Sequence, residues 1–399
     1  MRNSLDQALT RRKALALLAG LASISGIVTA AGHSSDAIDE RTNVDGDTSF
    51  GSTMAGGPAI GPDGHFTDIQ IFGDGTKHLI PIEEIVEGGP DKDDIPSIDN
   101  PQFVGPEHWA DVDYRDDGWV IGVEVNGERR AYPFQVLVWH EIVNDRFDGV
   151  PLLVTYCPLC GSGIVFRREI DPVGVAEFGV TGRLYNSDML MYDRATNSVW
   201  SQLTGTAVIG ELTGQRLEIY PSELLTWADF KQAYPDSQVL SRDTGFPRNY
   251  DSRPYGAYDE TITVAFPVAG RDDRLHPKTR ITGVELDGLT FGAYPDNLIR
   301  EHGPVNTQLD GVPLLVVSDR QAGGSVRVFE RRIGNQPLEF SASDPFLKDE
   351  ATGSRWNYRG EAITGVLAGS RLTEVKTIRA FWFAWYAFHH ETELWQPET

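Results

Sequence analysis

Two cysteines carry the strongest chemical signal in this sequence. Cys157 and Cys160 are the only cysteines among 399 residues, and two residues separate them. This spacing lets both sulfurs face one point, which suits a metal ion or a redox-active dithiol. A structural disulfide is a further alternative, although closing so short a loop removes little chain entropy. Two unpaired buried thiols are the fourth, and the residues alone leave all four open.

A metal ion would need more ligands than two sulfurs, and His140 and Met191 are the candidates. Thiolate, imidazole and thioether together form a soft set that favours copper, whereas zinc would use four ligands without the methionine. We therefore predict a metal site of His140, Cys157, Cys160 and Met191, with copper first and zinc second. In the dithiol alternative, Cys157 and Cys160 are the redox residues, and His140 lowers the thiol pKa. A core role for His140 or Met191 is the simpler alternative.

Polar residues nearby form a second group of candidates, namely Glu141, Asn144, Asn186, Ser187, Asp188, Asp193 and Arg194. A run of Asn, Ser and Asp commonly caps a strand or bends the chain, so we expect residues 186–188 to be structural. Asp193 and Arg194 are predicted to form an ion pair or to hold a substrate. No phosphate-binding loop, nucleophile elbow or His-Glu-x-x-His motif occurs. The sequence therefore gives no support for a nucleotide cofactor or for standard hydrolase, kinase and dehydrogenase functions.

Short strands dominate the elements that must position these residues. Apolar and polar residues alternate over Trp119–Val125, and Asn126-Gly127 then predicts a hairpin turn. A single helix is predicted over Ser222–Tyr234, with Ser222 as its cap and Pro235 as its end. The further predicted strands are Arg130–Val138, Val136–Val143 around His140, Val150–Tyr156, Phe178–Leu184, Met189–Tyr192 and Ala207–Ile209.

Two parts of the chain repeat one another. Val143–Val154 and Val305–Val316 are identical at nine of twelve positions, and further matches continue to Trp395. We predict a mainly β (α+β) fold of two tandem β-rich units, each with a short helix, packed together. The units span 76–245 and 281–399, with an irregular connector at 246–280. In the second unit Asp319 and Ala322 replace the cysteines and Leu347 replaces Met191, whereas His302 matches His140. The sulfur-containing residues therefore occur in one unit only, which favours a site there.

The amino terminus predicts export. Adjacent Arg11 and Arg12 precede a mildly apolar run that ends near Ala31, which is typical of a twin-arginine signal peptide at 1–31. Residues 32–75 are predicted to form a flexible acidic spacer. An uncleaved signal would serve as a membrane anchor, which is the alternative and the only membrane contact we predict. The mature protein is expected to be secreted or at the cell surface.

The charge balance indicates the environment of the protein and does not indicate a binding partner. The chain has 58 acidic against 35 basic residues, a net charge of -23, and only seven of the basic residues are lysine. This composition keeps a protein hydrated in concentrated salt, so we predict a salt-loving source. It argues against sequence-independent nucleic-acid binding, which needs basic residues facing phosphates. A mean hydropathy of -0.29 excludes a polytopic membrane protein.

Three segments together resemble the domain-of-unknown-function 3179 (DUF3179) family. They are Trp139–Asp145, Thr155–Gly161 and Asn186–Arg194, and the resemblance covers about residues 80–399. Members of that family are often exported and frequent in bacteria and haloarchaea, and no activity is implied. The resemblance implies that His140, Cys157, Cys160 and Met191 form one site. The alternative function is a non-catalytic extracytoplasmic binding or cell-surface module with a structural Cys157–Cys160 disulfide, and the sequence does not decide whether the protein is an enzyme.

Overall fold

The described part of the chain comprises residues 69–71, 75–319 and 323–397 of a computed structural model. The predicted signal peptide (1–31) and most of the predicted spacer (32–75) lie outside the described residues. Within the described ranges, no helix combines the length and apolar character needed to cross a membrane.

Strands are the main element of the fold. In the first half they are β1 (Gln70–Ile71), β2 (Lys77–His78), β3 (Val86–Glu87), β4 (Phe103–Val104), β5 (Trp119–Val125), β6 (Glu128–Pro133), β7 (Ile142–Phe147), β8 (Val150–Cys157), β9 (Ser162–Arg167), β10 (Glu169–Ile170), β11 (Gly174–Val175), β12 (Phe178–Tyr185), β13 (Asp188–Asp193), β14 (Val199–Ser201), β15 (Ala207–Ile209), β16 (Glu223–Thr226) and β17 (Gln238–Leu240).

The second half continues with β18 (Arg280–Leu286), β19 (Thr290–Pro295), β20 (Val305–Leu309), β21 (Val312–Asp319), β22 (Ser325–Glu330), β23 (Arg332–Ile333), β24 (Gln336–Pro337), β25 (Phe340–Ser343), β26 (Phe346–Asp349), β27 (Arg355–Trp356), β28 (Ala362–Thr364), β29 (Thr373–Glu374), β30 (Thr377–Phe381) and β31 (Glu393–Leu394). The α-helices are α1 (Phe134–Leu137), α2 (Trp227–Ala233), α3 (Asp296–His302) and α4 (Trp382–Phe388), with 3-10 turns at Ile82–Glu84, Pro106–Asp111 and Tyr258–Glu260.

The strands form several small sheets. The largest has the order β1-β2-β15-β14-β13-β12-β3, and a five-stranded sheet has the order β16-β5-β6-β17-β4. The meander β7-β8-β9 forms a separate three-stranded sheet and carries the two cysteines where β8 turns into β9. Later strands form three four-stranded sheets, β30-β18-β19-β31, β20-β21-β22-β29 and β25-β26-β27-β28. The mainly β prediction is therefore confirmed.

Several local predictions hold and three are wrong in whole or in part. The strand over Trp119–Val125 is confirmed, and residues 246–279 hold one 3-10 turn and no strand. The predicted strand through His140 is wrong, because α1 occupies Phe134–Leu137 and β7 begins at Ile142. For the same reason the strand predicted over Arg130–Val138 ends early, at Pro133. The predicted helix begins late: Glu223–Thr226 pairs with β5 as a strand, and Thr226 caps α2 through the amide of Asp229. The pairing with β5 overrides the helical spacing of the apolar residues.

The same hydrogen bonds occur at two places in the chain. The Asp193 carboxylate accepts from the Trp200 indole at 3.0 Å, and Asp349 accepts from Trp356 at 3.0 Å. A second pair involves two asparagines. Asn144 bonds the backbone N–H and carbonyl of Phe178, each at 2.9 Å, and Asn306 bonds Phe340 in the same way at 2.9 and 2.8 Å.

The largest core joins residues from both halves of the chain. Cys157, Cys160 and Trp200 pack in one cluster with Trp382 and Trp385 of α4. The indole and sulfur side chains of this cluster are exposed by 1% or less. The second half therefore forms part of the wall around the cysteines.

We expect Asn144→Asp to destabilise the protein more than Asn306→Asp. Asn144 is 2% exposed, and its amide also donates to Asp99 at 2.8 Å, so an aspartate there would lose two donors and face a second carboxylate. The expected loss is about 2 kcal/mol or more, measured by urea unfolding in high salt. Asn306, which is only half-buried, is the matched control, and equal unfolding midpoints for the two variants would contradict this account.

Candidate metal centre

The Cys-Pro-Leu-Cys segment forms the tight connection between β8 and β9. Cys157 is the last residue of β8, and β9 begins at Ser162. Gly161 has a φ of 59°, and a Cβ atom there would lie 2.6 Å from the ring of Phe381, so glycine is required for both reasons. The N–H of Phe381 donates to the carbonyl of Cys160 at 2.8 Å. The start of α4 thus holds the loop in place.

A two-residue hairpin turn faces the cysteines from the neighbouring sheet. Asn186 and Ser187 join β12 to β13 with φ values of 51° and 65°, as a primed hairpin turn requires. The Asn186 side chain donates to the carbonyl of Ala387 at 3.3 Å and accepts from the N–H of Ala269 at 2.8 Å. These two bonds hold the turn against α4 and the connector.

Asp188, directly after this turn, completes a group of three with the two cysteines. One ligand atom from each of Cys157, Cys160 and Asp188 lies within 4.8 Å of the others, and all three residues are buried. The Cys160 thiol lies 3.3 Å from the carbonyl oxygen of Ser187 and 3.9 Å from Oδ1 of Asp188. No disulfide joins the two sulfurs. The turn therefore brings a carboxylate to the thiol pair.

Hydrogen bonds orient the Asp188 carboxylate. Its Oδ2 accepts from the Ser201 hydroxyl and from the N–H of Leu203, both at 3.0 Å, while Oδ1 is the atom beside Cys160. Burial raises the pKa of Asp188 to about 7, against the effect of these hydrogen bonds. One oxygen is thus fixed and the other faces the sulfurs.

Burial also changes the titration of the neighbouring groups. It raises the pKa of the Cys160 thiol well above its ordinary value, with Cys157 and Asp188 adding to the effect. It lowers the pKa of Lys278 to about 7, although Cys160 acts in the opposite direction. The Lys278 ammonium group donates to the carbonyls of Tyr258 and Thr263 at 3.3 and 2.9 Å. One buried basic group therefore accompanies the acidic ones.

Glu141 is a fourth acidic group near the centre. It is 6% exposed, has a φ of 60°, and shares a side-chain hydrogen bond with Tyr255 of the connector. Burial raises its pKa to about 8, and the nearby charge of Asp188 adds to the rise. Backbone in the left-handed region is costly for such a side chain, so the surrounding contacts must hold it there.

The structure does not bring His140 to the sulfurs. One ring nitrogen lies 2.7 Å from the carbonyl oxygen of Pro96 and the other 2.7 Å from the Tyr250 hydroxyl. His140 is fully buried. Each of its ring nitrogens therefore already has a hydrogen-bond partner from a residue distant in sequence. It lies outside the group of three, which contains Asp188 instead.

Met191 and Asp188 lie on opposite faces of β13. Asp188 and Leu190 share one face of β13, since Leu190 pairs with Ser201, whose hydroxyl bonds Asp188. Side chains alternate along a strand, so Met191, which pairs with Trp200, faces the opposite way. Of the predicted set, the two cysteines lie together with Asp188, whereas His140 bonds elsewhere and Met191 faces away from Asp188.

The other polar candidates have structural contacts. Asn144 holds Phe178, as described above, and Asp193 accepts from Trp200 and from the N–H of Thr196 at 2.6 Å. Arg194 pairs with Asp99 at 2.8 Å and with Glu177 at 3.0 Å rather than with Asp193. The predicted ion pair between Asp193 and Arg194 is not formed.

Comparison with known proteins gives a family and no activity. A family model described as "Protein of unknown function (DUF3179)" matches residues 92–392. The chain belongs to the DUF3179 family. Neither a curated protein nor a solved structure matches it.

Sequence reasoning missed the roles of three residues in this DUF3179 chain. Asp188 was expected to be a structural turn residue, and Tyr255 and Lys278 were assigned no role. The available signal was the pair Asn186-Ser187 between two apolar segments, which predicts a hairpin and so places Asp188 at the start of a strand. Nothing in the sequence around the connector indicates that Tyr255 is partly buried and Lys278 buried in or against the core cluster that holds the cysteines.

We expect Glu141→Gln to gain stability relative to the parent protein as pH rises. The folded-state pKa of Glu141, about 8, exceeds its ordinary value of 4.5, so its contribution to stability is complete below 4.5 and is lost as pH rises through 8. Glutamine has no such loss. Melting temperatures of both metal-free proteins between pH 5 and pH 9, in constant high salt, measure the difference.

The exposed residue Glu128 provides the control variant Glu128→Gln. Its difference from the parent protein should stay constant over the same pH range. A constant difference for Glu141→Gln as well would show that Glu141 is not held as a buried, protonated acid.

Proposed function

We propose that this protein binds a metal ion through Cys157, Cys160 and Asp188. The observation that carries the proposal is that their three ligand atoms lie within 4.8 Å of one another in a buried place. Thiolates and a carboxylate at this spacing are common metal ligands in proteins.

The cost of burying these groups supports a metal ion more than a purely structural role. Two thiols and a carboxyl group stand in an apolar cluster at 1% exposure or less, where charges without a partner are costly. A cation removes that cost, because it stabilises the deprotonated forms. The Ser187 hydroxyl is also buried and has no hydrogen-bond partner within the residues described. Ser187 adjoins Asp188 in sequence, so its hydroxyl is a further polar group that could contact a bound ion or its ligands.

Zinc fits this ligand set better than copper. The preference for copper depended on the His140 imidazole and the Met191 thioether. His140 is not part of the group, and Met191 lies on the face of β13 opposite to Asp188. Two thiolates and one carboxylate are ligands that zinc accepts, with a fourth position left for a water molecule or another ligand. We therefore propose zinc, and copper becomes the alternative that metal analysis tests.

The redox and disulfide alternatives have less support. A nucleophilic thiol needs a lowered pKa and access to its partner, whereas burial raises the pKa of Cys160, and neither sulfur is exposed by more than 1%. His140, the group proposed to activate a thiol, is engaged elsewhere. The structural alternative requires a disulfide between Cys157 and Cys160, and both cysteines are free.

We also propose that the chain is a tandem duplication with units at 76–245 and 281–399, joined by the connector at 246–280. Equivalent hydrogen bonds in the two units support it. Asp193 and Asp349 each accept from a tryptophan, and Asn144 and Asn306 each bond the backbone of a phenylalanine. Export by the twin-arginine route to an extracytoplasmic location in a high-salt environment remains part of the proposal and depends on the amino-terminal sequence and the charge.

Elemental analysis of variants separates the two ligand sets. Protein purified in high salt without chelator is expected to contain about one zinc per chain. Cys157→Ser, Cys160→Ser and Asp188→Asn should lose it. Met191→Leu and His140→Gln should retain it, because His140 lies outside the group and Met191 faces away from Asp188 along β13. Loss of metal from folded Met191→Leu, with retention in folded Asp188→Asn, would contradict the assignment.

Zinc affinity should fall as pH falls through 7. Binding requires Asp188 and both thiols without their protons, and burial holds the pKa of Asp188 at about 7 and that of Cys160 higher. Each proton released adds about a tenfold loss of affinity per pH unit below the pKa of its group. Competition with a chromogenic chelator between pH 6 and pH 8 measures this, and a pH-independent affinity would contradict it.

A further inference from the structure

A cavity lies beside the cysteine loop. Its volume is about 330 Å³, which lies at the small end of the range for sites that bind small molecules. Tyr156 and Pro158, the residues on either side of Cys157, form part of its wall. The connector supplies the opposite wall through Tyr255 and Tyr258. The cavity therefore adjoins the proposed metal centre while the sulfurs themselves remain buried.

Charged side chains form one part of the wall, and aromatic rings form another part. The aromatic residues are Trp119, Phe134, Tyr156, Tyr250, Tyr255 and Tyr258. The rings of Phe134 and Tyr156 are stacked with centroids 3.8 Å apart, which fixes their faces. Such a wall favours a flat, apolar group, because ring faces bury apolar area and pack against another ring.

Arg280 is the cation of the cavity that has no carboxylate partner. The other two arginines of the wall are paired, Arg115 with Asp117 at 3.4 Å and Arg253 with Asp259 at 3.1 Å. Within the described part of the chain, no carboxylate lies at ion-pair distance from Arg280. A guanidinium group has five N–H donors, and Arg280 uses one of them on the carbonyl of Gly161 at 3.3 Å. Donors therefore remain for a ligand.

Two rings hold the Arg280 guanidinium in position. Its central carbon lies 5.0 Å from the ring centroid of Trp119 and 5.1 Å from that of Phe381. Cation–π contact of this kind limits the rotation of the side chain, so less entropy is lost when a ligand binds. A planar, fixed guanidinium group favours a planar, two-oxygen anion such as a carboxylate, and it also accepts a phosphate.

From these contacts we infer that the cavity is a binding site for a small aromatic acid, with its anionic group on Arg280 and its ring between the aromatic walls. This goes beyond the metal proposal and does not depend on it, because no ligand atom has to touch the sulfurs. The contact of Arg280 with Gly161 places the bound acid next to the Cys160 end of the loop.

Calorimetric titration of the full chain, at a fixed high concentration of potassium chloride, tests the inference. Benzoate is expected to bind at least about tenfold more tightly than neutral benzamide, because only benzoate offers a charged pair of oxygens. Phenyl phosphate should bind, and inorganic phosphate should bind at least about tenfold more weakly, because it lacks the ring. Equal affinities for benzoate and benzamide, or tighter binding of inorganic phosphate than of phenyl phosphate, would overturn the inference.

Variants assign the binding to the cavity. Arg280→Gln should weaken benzoate binding at least about tenfold, and Arg280→Lys should restore it only in part because the fork of donors is lost. Arg183→Gln removes the same charge at the half-exposed pair with Glu87, outside the cavity, and should leave benzoate affinity unchanged. Unchanged binding in a folded Arg280→Gln protein, verified by near-ultraviolet circular dichroism, would overturn the assignment.

The Cys157→Ser/Cys160→Ser protein keeps the two proposals apart. If it binds benzoate normally while the parent protein contains no metal, the metal proposal fails and the cavity stands. If the parent protein contains zinc and none of the aromatic acids binds, the cavity inference fails alone.

Discussion

The arrangement of this molecule depends on the burial of three ionisable groups in one apolar place. Cys157, Cys160 and Asp188 are held within 4.8 Å of one another by two tight turns from different sheets. Burying charged groups is costly unless they are paired. Burial therefore favours the protonated thiol and carboxyl groups and raises their pKa values. The raised pKa of Asp188 and that of Cys160 are direct consequences. A cation at this point would relieve the constraint that the rest of the fold imposes.

The second half of the chain encloses the site although it has no cysteines. Phe381 packs where a Cβ atom of Gly161 would lie, and its N–H bonds the carbonyl of Cys160. Trp382 and Trp385 join the same core, and Ala387 binds the Asn186 turn. If the two halves arose by duplication, one kept the ligands and the other became the wall around them. Under the proposed duplication, such a division would account for corresponding positions that differ in their sulfur-containing residues and agree in their structural hydrogen bonds.

Much of the fold was predictable because alternation and turn residues act locally. The strand at Trp119–Val125 and the hairpin turn after it follow from sequence alone. The site was predictable only in part, since metal ligands meet through contacts that are distant in sequence. His140 lies close to the cysteines along the chain, yet its partners Pro96 and Tyr250 hold it elsewhere. Asp188 resembled an ordinary turn residue until the sheet placed it opposite the thiols.

X-ray absorption spectroscopy at the zinc edge tests the central claim most directly. The zinc-loaded protein should show two sulfur neighbours at about 2.3 Å and oxygen neighbours at about 2.0 Å, with no multiple scattering from imidazole. The same spectrum of Asp188→Asn should lose intensity in the oxygen shell if any metal remains. A spectrum with imidazole scattering, or with fewer than two sulfur neighbours, would contradict a centre made of Cys157, Cys160 and Asp188.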